Sequence, residues 1–442
     1  MAVIAIVLAA AAAAASTASP GVDRGDPADA IRTLTVNEMF RLAEAAHSRG
    51  DHALAEAIYR AMFSDASPDV RLEARFRLAK LESARGNLTT AAVLLREIID
   101  QRPQAMPVRL ELAQVLAKMG DNEGAWRQVR AIHAGGLPPS VARLIDRYSE
   151  ALRARRPLGA SFEIALAPDS NINRATRSET LSTIFGNFQI ADAGKGKSGT
   201  GLALNAQGYR RLPLGGTASL LVRTTGFANL YKRGDFNDIA ADLAVGPELY
   251  FGRNRIQVEL AATQRWYGQK PFMRSARIAE TVSHPAGSLT MLRLSGSAAL
   301  LDNQLNHLES GKSHTGQFWL ERALTPTTGL AASVSLDRES LKDPGYSTTS
   351  WRAGLSAWRD LGRVTLTGGF EFGRLTADRR LLLFPSKRGD HYSRFSIGAS
   401  VRQLQFHGFA PIMRFSIERN RSTVEFYDYR RTRSEIGVAR AF

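Results

Sequence analysis

The sequence predicts an α + β multidomain protein, an α-helical repeat domain followed by a transmembrane antiparallel β-barrel of about 14 strands. Three observations predict it: segments of alternating polarity from about Ser161 to Phe442, a helix-period repeat ahead of them, and an apolar run at the N-terminus. Successive side chains of a strand point to opposite faces. In 239–250 one face is Ile239, Ala241, Leu243, Val245 and Leu249, and the other is Ala240, Asp242, Ala244, Gly246 and Glu248. Segments 256–265 and 364–373 divide the same way, with Val258, Leu260, Phe370 and Phe372 opposite Glu259, Thr263, Thr367 and Glu371. Soluble sandwiches also alternate, but their strands average about 5–6 residues, roughly half the length of these blocks. A tilted strand crosses a bilayer with about 9–11 residues, apolar side to lipid and polar side to the lumen.

The expected strands run from 161–166 and 201–210 to 410–420 and 433–442, with 273–284 and 391–404 alternating least clearly. Short joints at Leu212–Gly216, Gly252–Asn254 and Leu361–Gly362 read as turns at one end of the barrel. Longer joints at 301–313, 340–349, 376–390 and 421–432 read as loops at the other, and 167–200 is long enough to fold over or into the lumen. The last strand places Ile436, Val438 and Phe442 on one face, interrupted by Arg440. The first strand shows only about six alternating residues, and Gly437 stands in the last. Either the seam between first and last strand is weak, or the first strand is longer than its alternation shows and the seam is tight.

Residues 36–156 change period from 2 to 3.6. Helix-like stretches 38–48, 70–85 and 108–119 each end at a Gly-Asp or Gly-Asn pair (Gly50, Gly86, Gly120) and are each followed by a second, at 53–63, 88–100 and 123–133. A helical hairpin repeating at about 34 residues is the tetratricopeptide signature. Ala43, Ala46, Ala55, Ala57, Ala79, Ala91 and Ala92 are placed for close helix approach, and a helix over 139–155 is expected to cap the stack.

Residues 1–18 read as a signal peptide. Apolar residues run from Ala2 to Ala15, and Ser16 and Ala18 are placed for cleavage, although the usual basic n-region is missing. Residues 19–35 form a polar, flexible lead. With no cysteine, the chain has no disulfide, no thiolate metal site and no lipobox. No later stretch has the ~20 consecutive apolar residues of a transmembrane helix. Most of the net charge of +16 falls from Pro157 onward, scattered over strands and loops. That pattern fits a positive lumen and barrel rims that meet lipid phosphates. No basic helix or nucleic-acid motif accompanies it, so nucleic acid is not an expected partner.

Three stretches carry a family resemblance: 167–175 (APDSNINRA), with Asp169, Asn171 and Asn173; 380–388 (RLLLFPSKR), with Phe384 and Pro385; and the last hairpin, with Asn420, Ser422, Tyr427, Asp428, Tyr429, Arg430 and the terminal Phe442. Together they resemble the surface lipoprotein assembly modulators. The resemblance implies delivery of a client protein, usually a surface lipoprotein, across the outer membrane. It also implies periplasmic chaperones and the barrel-assembly machinery as partners, and contact with outer-membrane lipid. Ser170 departs from the family's usual acidic residue or Asn, and the repeat domain is short. An exopolysaccharide export barrel with tetratricopeptide repeats and a simple porin are the alternatives. On residues alone, the Asx-rich 169–173 serves equally as a self-capping turn, and Tyr427 and Tyr429 read as girdle aromatics.

No catalytic or metal-ligating pattern emerges. The eight histidines have no metal spacing, and Ser283-His284 and Ser313-His314 point to opposite strand faces. No catalytic residue, cofactor or metal is expected.

Overall fold

The computed structural model describes residues 34–119, 121–134, 158–361, 364–401 and 409–441. The expected signal peptide, most of the lead, Gly120, the capping helix over 139–155 and Phe442 lie outside them. The chain divides into two compact units, through Ile98 and from Ile99 onward.

Among the described residues six helices come first: α1 (Val36–Ser48), α2 (His52–Ala61), α3 (Pro68–Ala84), α4 (Leu88–Gln101), α5 (Met106–Lys118) and α6 (Asn122–Ala134). Their limits follow local chemistry. Thr35 and Glu38 form a reciprocal capping box on α1, and the Asp51 carboxylate accepts from the Leu54 amide at the start of α2. Gly50 and Gly86 end α1 and α3 at φ of 84° and 85°, a left-handed conformation that glycine adopts without Cβ strain. Ala43, Ala46, Ala55 and Ala79 are fully buried, and Ala57 faces solvent. Within the first unit, Arg77 of α3 pairs with Glu44 of α1, and Arg85 reaches Glu56 of α2 at 3.2 Å. In the second unit, the buried Arg109 of α5 donates to the Gln128 side chain of α6 at 2.8 Å.

The barrel strands are β1 (Leu158–Asp169), β4 (Gly199–Gly215), β5 (Ala218–Tyr231), β6 (Asp238–Phe251), β7 (Asn254–Tyr267), β8 (Lys270–Ala286), β9 (Thr290–Asn303), β10 (Gly311–Thr325), β11 (Thr328–Leu341), β12 (Thr348–Leu361), β13 (Val364–Ala377), β14 (Gly389–Val401), β15 (Ala410–Ser422) and β16 (Tyr429–Ala441). A hairpin, β2 (Thr180–Thr183) and β3 (Gly186–Gln189), stands outside the sheet, within the long 170–198 connection. Each barrel strand pairs antiparallel with its neighbours in sequence, and β1 closes on β16 to give a closed 14-stranded barrel. Short turns gather at one end, and the loops 170–198, 232–237, 304–310, 342–347, 378–388 and 423–428 at the other.

Register follows the alternation. Asp242 of β6 pairs with Thr263 of β7, and Leu243 with Ala262, so Asp242 and Thr263 face inward and Leu243 and Ala262 outward. The outer face exposes Leu243, Leu260, Ile278, Leu294, Leu336 and Phe370, an apolar belt suited to lipid. The lumen carries ion pairs: Arg211–Glu248 at 3.0 Å, Arg223–Glu259 at 2.6 Å and Arg277–Asp242 at 3.5 Å. These luminal arginines are matched by luminal acid. Arg130 of α6 pairs with luminal Glu321 of β10, both buried.

The expected six-residue first strand is corrected: β1 has 12 residues and pairs with β4 along its whole length. Small luminal residues (Ala165, Ala167) and a proline had blurred its alternation. Toward β16 it pairs from Ser161 to Leu166 and again at Asp169. The intervening Pro168 has no amide hydrogen to donate. Gly437 lies where β16 comes closest to β1: a Cβ there would stand 2.0 Å from the Ile164 carbonyl oxygen and 2.5 Å from the Ala165 Cα. The glycine therefore permits closure where it had been expected to weaken it. Gly437→Val should abolish the compact, heat-modifiable band on semi-native gels, while Gly316→Val, where a Cβ meets open space, should leave that band intact.

Candidate functional site

The loop end of the barrel carries the described motif residues: Asp169 and Asn171 bond across the β1–β16 seam, and the others lie in the neighbouring loops and the last hairpin. Asp169 ends β1 facing inward, its side chain fully buried. Arg431 of β16 holds it in a forked contact, Nε to Oδ1 and Oδ2 at 3.1 and 2.9 Å and Nη2 to Oδ2 at 2.5 Å. Arg433 approaches the same carboxylate to 3.7 Å, and Arg431 also stands 3.7 Å from Glu418 of β15. A guanidinium matches a carboxylate in this planar geometry, and burial strengthens the pair while making either partner costly alone.

Beyond Asp169 the chain turns on its own side chains. The Asn171 amide donates to Asp169 Oδ1 at 2.9 Å, closing an Asx turn. The fully buried Asn171 side chain donates to the carbonyls of Ala175 and Arg430, at 2.8 and 3.2 Å, and accepts from the Ala175 amide at 3.1 Å. Asn173 binds the returning chain ahead of β4, donating to the Lys195 carbonyl and accepting from the Lys197 amide, each at 2.9 Å. The segment thus acts as a self-capping turn and also as a tie across the seam. Ser170 extends the tie: its amide donates to the Thr432 carbonyl at 3.0 Å, and its hydroxyl accepts from the Thr432 amide at 2.8 Å. Arg174 follows with a φ of 47°, a strained conformation for a residue with a Cβ, and its guanidinium lies 3.5 Å from Glu418.

The last hairpin continues the network. Asn420 donates to Asp390 of β14 at 3.1 Å and to the Tyr427 carbonyl at 2.8 Å. Asp428 pairs with Arg419 at 2.7 Å and accepts from the Ser422 amide at 3.4 Å. Arg388 spans both sides: it pairs with Asp390 at 2.6 Å and lies over the Tyr427 ring at 3.8 Å from the centroid. Burial pushes the Tyr427 hydroxyl above the usual phenol range, with Arg388 acting in the opposite sense. Tyr429 points inward and donates to Glu418 at 2.5 Å. Tyr427 and Tyr429 are therefore held in this network rather than arrayed on the lipid-facing belt. The Arg430 side chain is exposed on the outer face, and only its carbonyl joins the network.

Phe384 is buried within the 378–388 loop, its carbonyl accepting from Arg380 at 3.2 Å, and the exposed Pro385 follows it. Sequence reading missed Arg431, Arg433, Glu418 and Asp390, and took Arg388 as part of a solvated loop where it is held by Asp390 and Tyr427. The signal for them was the inward parity of Asp390, Glu418, Arg431 and Arg433, legible only once register is known. No group of His, Asp or Glu able to hold a metal ion occurs among the described residues.

A family profile described as surface lipoprotein assembly modifier matches residues 160–442. The chain belongs to that family. Among curated relatives, the surface lipoprotein assembly modifier of Moraxella catarrhalis is 33% identical over 134 residues, 30% of this chain and 26% of that protein. Surface lipoprotein assembly modifier 1 of Neisseria meningitidis is 32% identical over 97 residues, 22% of this chain and 20% of that protein. The matched part thus spans about a quarter or less of those relatives' length. The motility hub protein FimV of Pseudomonas aeruginosa is 41% identical over 71 residues, 16% of this chain and 8% of that one. Among solved structures, OccAB3 of Acinetobacter baumannii aligns over 64% of this chain and 99% of its own at 7% identity and a TM-score of 0.35. This family member is an outer-membrane barrel.

Breaking the Asp169–Arg431 pair from one side strands a buried charge, so Asp169→Asn should cost about 3–5 kcal/mol of stability. The paired Asp169→Leu/Arg431→Met should recover much of that loss. Urea unfolding in lipid, followed by tryptophan fluorescence, checks both.

Proposed function

We propose that this protein delivers a client protein, a surface lipoprotein, across the outer membrane. Family membership together with the gathering of the motif residues at the loop end of the barrel, Asp169 and Asn171 at its seam, supports the reading. The barrel supplies the route, and its β1–β16 closure, tied by Asp169–Arg431 and Ser170–Thr432, is the place a client strand would engage. The N-terminal helices act as tetratricopeptide-like repeats in the periplasm, where they receive the client or its chaperone, because stacked hairpins offer a concave surface to an extended chain. Residues 36–156 form that domain and 157–442 the barrel. A signal peptide over 1–18 directs export, and the barrel-assembly machinery inserts the product. An even number of strands returns the chain to its starting side, so the short turns face the periplasm and the long loops the exterior.

The protein performs no catalysis in this reading. Folding of the client outside the cell gives the process its direction. Asp169 and Asn171 hold the seam in register, and Asn173, Asn420, Ser422, Tyr427, Asp428 and Tyr429 brace the loops and last hairpin beside it. Client choice resides in the barrel, and the repeats raise efficiency.

Deleting the gene should remove one or more lipoproteins from the cell surface while total lipoprotein is unchanged, as read by antibody or biotin labelling of intact cells. Unchanged surface lipoproteins would overturn the reading. Replacing 20–156 by the equivalent segment of a relative that serves another client should leave client choice unaltered. Protease added to intact cells should cut within 340–349 or 376–390 and spare 36–134.

A further inference from the structure

Three loop-end segments interlock and leave apolar side chains facing outward. The Ile184 amide at the tip of the β2–β3 hairpin donates to the Leu383 carbonyl at 3.1 Å, joining 170–198 to 378–388. The Ser182 hydroxyl donates to Glu425 at 2.7 Å, and the Ser386 hydroxyl lies 3.5 Å from the Thr423 carbonyl, bringing in 423–428. On this cap Ile184, Phe185, Phe188, Leu382, Leu383 and Phe426 are exposed, Leu382 to 81% and Phe185 to 76%. These side chains lie on loops beyond the strand ends, away from the lipid-facing belt. Large apolar side chains held outward together on a well-bonded scaffold mark an interaction surface.

The charges around the cap say what fits it. Arg177, Arg379 and Lys387 are exposed, and Arg380 donates to two carbonyl oxygens, which leaves its charge unneutralised. Of the nearby acids, Glu179 pairs with Lys195 at 2.5 Å and Asp378 with Arg338 at 2.6 Å. Glu425 accepts from the neutral Ser182 hydroxyl, so cations outnumber unpaired acids on the cap. The Arg338 hydrogen bond holds Asp378 below the usual carboxylate range. A second copy set cap to cap would oppose cation with cation. A sugar-phosphate surface would take the cations and leave six apolar side chains without a counterpart.

We infer that the cap formed by β2–β3, 378–388 and 423–428 is a docking surface for an extracellular protein segment that presents large apolar residues among acidic ones. Resting on the delivery reading above, the occupant is the client as it emerges. Binding there holds its exposed apolar segments until they are buried by folding, and its return is prevented.

The test uses the full-length protein in nanodiscs, panned with a displayed library of random dodecapeptides. Wild type should enrich peptides that combine Asp or Glu with Leu, Ile or Phe. Phe185→Ser/Leu382→Ser should lose at least tenfold of that enrichment, and Arg379→Glu/Lys387→Glu should lose the acidic preference. Leu382→Ser alone, at the most exposed of the six positions, is the milder variant, and an unchanged heat-modifiable gel band verifies folding. Equal enrichment on the double serine variant, or selection of basic peptides, overturns the inference, as does a cap that binds purified lipopolysaccharide and no peptide. Intact cells separate this inference from delivery itself. If gene deletion strips surface lipoproteins while Phe185→Ser/Leu382→Ser displays them as wild type does, the cap inference falls and delivery stands. If deletion changes nothing while peptide binding still depends on the patch, delivery falls and the docking surface stands.

Discussion

A bilayer offers no water to an unpaired amide or carbonyl, so a strand that enters it needs a partner on both edges. Everything in residues 158–441 depends on this constraint, and β1–β16 is where it is met last. The other pairings join strands adjacent along the chain. This one joins residues more than 260 apart, as in the contact from Arg431 to Asp169. Gly437 lets the two backbones approach, and the ladder continues past Pro168 through Ser170 and Thr432. The seam is therefore closed by specific chemistry at its loop end, where Pro168 has no amide to give.

The same constraint shapes the electrostatics. A barrel interior confines charges, and an isolated buried charge is costly. Arg211 and Arg255 flank the fully buried Glu248, with Arg255 at 3.2 Å from it. Asp169, Arg431, Arg433 and Glu418 form a second group at the opposite end. Removing such a pair together is far less damaging than removing half of it. The pairs specify register because a slip of one residue sends each member to the lipid face.

The loop end combines this rigid base with an apolar, cationic outer surface. Phe384 is buried inside its loop while Leu382 and Leu383 are exposed, so one short motif both anchors the cap and supplies part of its face. Asn171 and Asn173 do comparable work by binding backbone groups on both sides of the long 170–198 excursion. The delivery proposal gains a physical component from this arrangement: a fixed surface outside the membrane on which a client segment is held.

Much of this was legible in the residues themselves. Period-2 alternation determined the barrel, its inward and outward faces and the count of strands, because lipid and lumen impose opposite chemistry on neighbouring side chains. The glycines at 50 and 86 marked helix ends, since those depend on bonds a few residues long. The short motifs were visible as residue types without roles. Only the tertiary structure decided that Asp169 meets Arg431, that Gly437 serves closure, that β1 is a full strand and that Ile184 joins Leu383. Each of these depends on register and closure between segments far apart in the chain, which local periodicity does not carry.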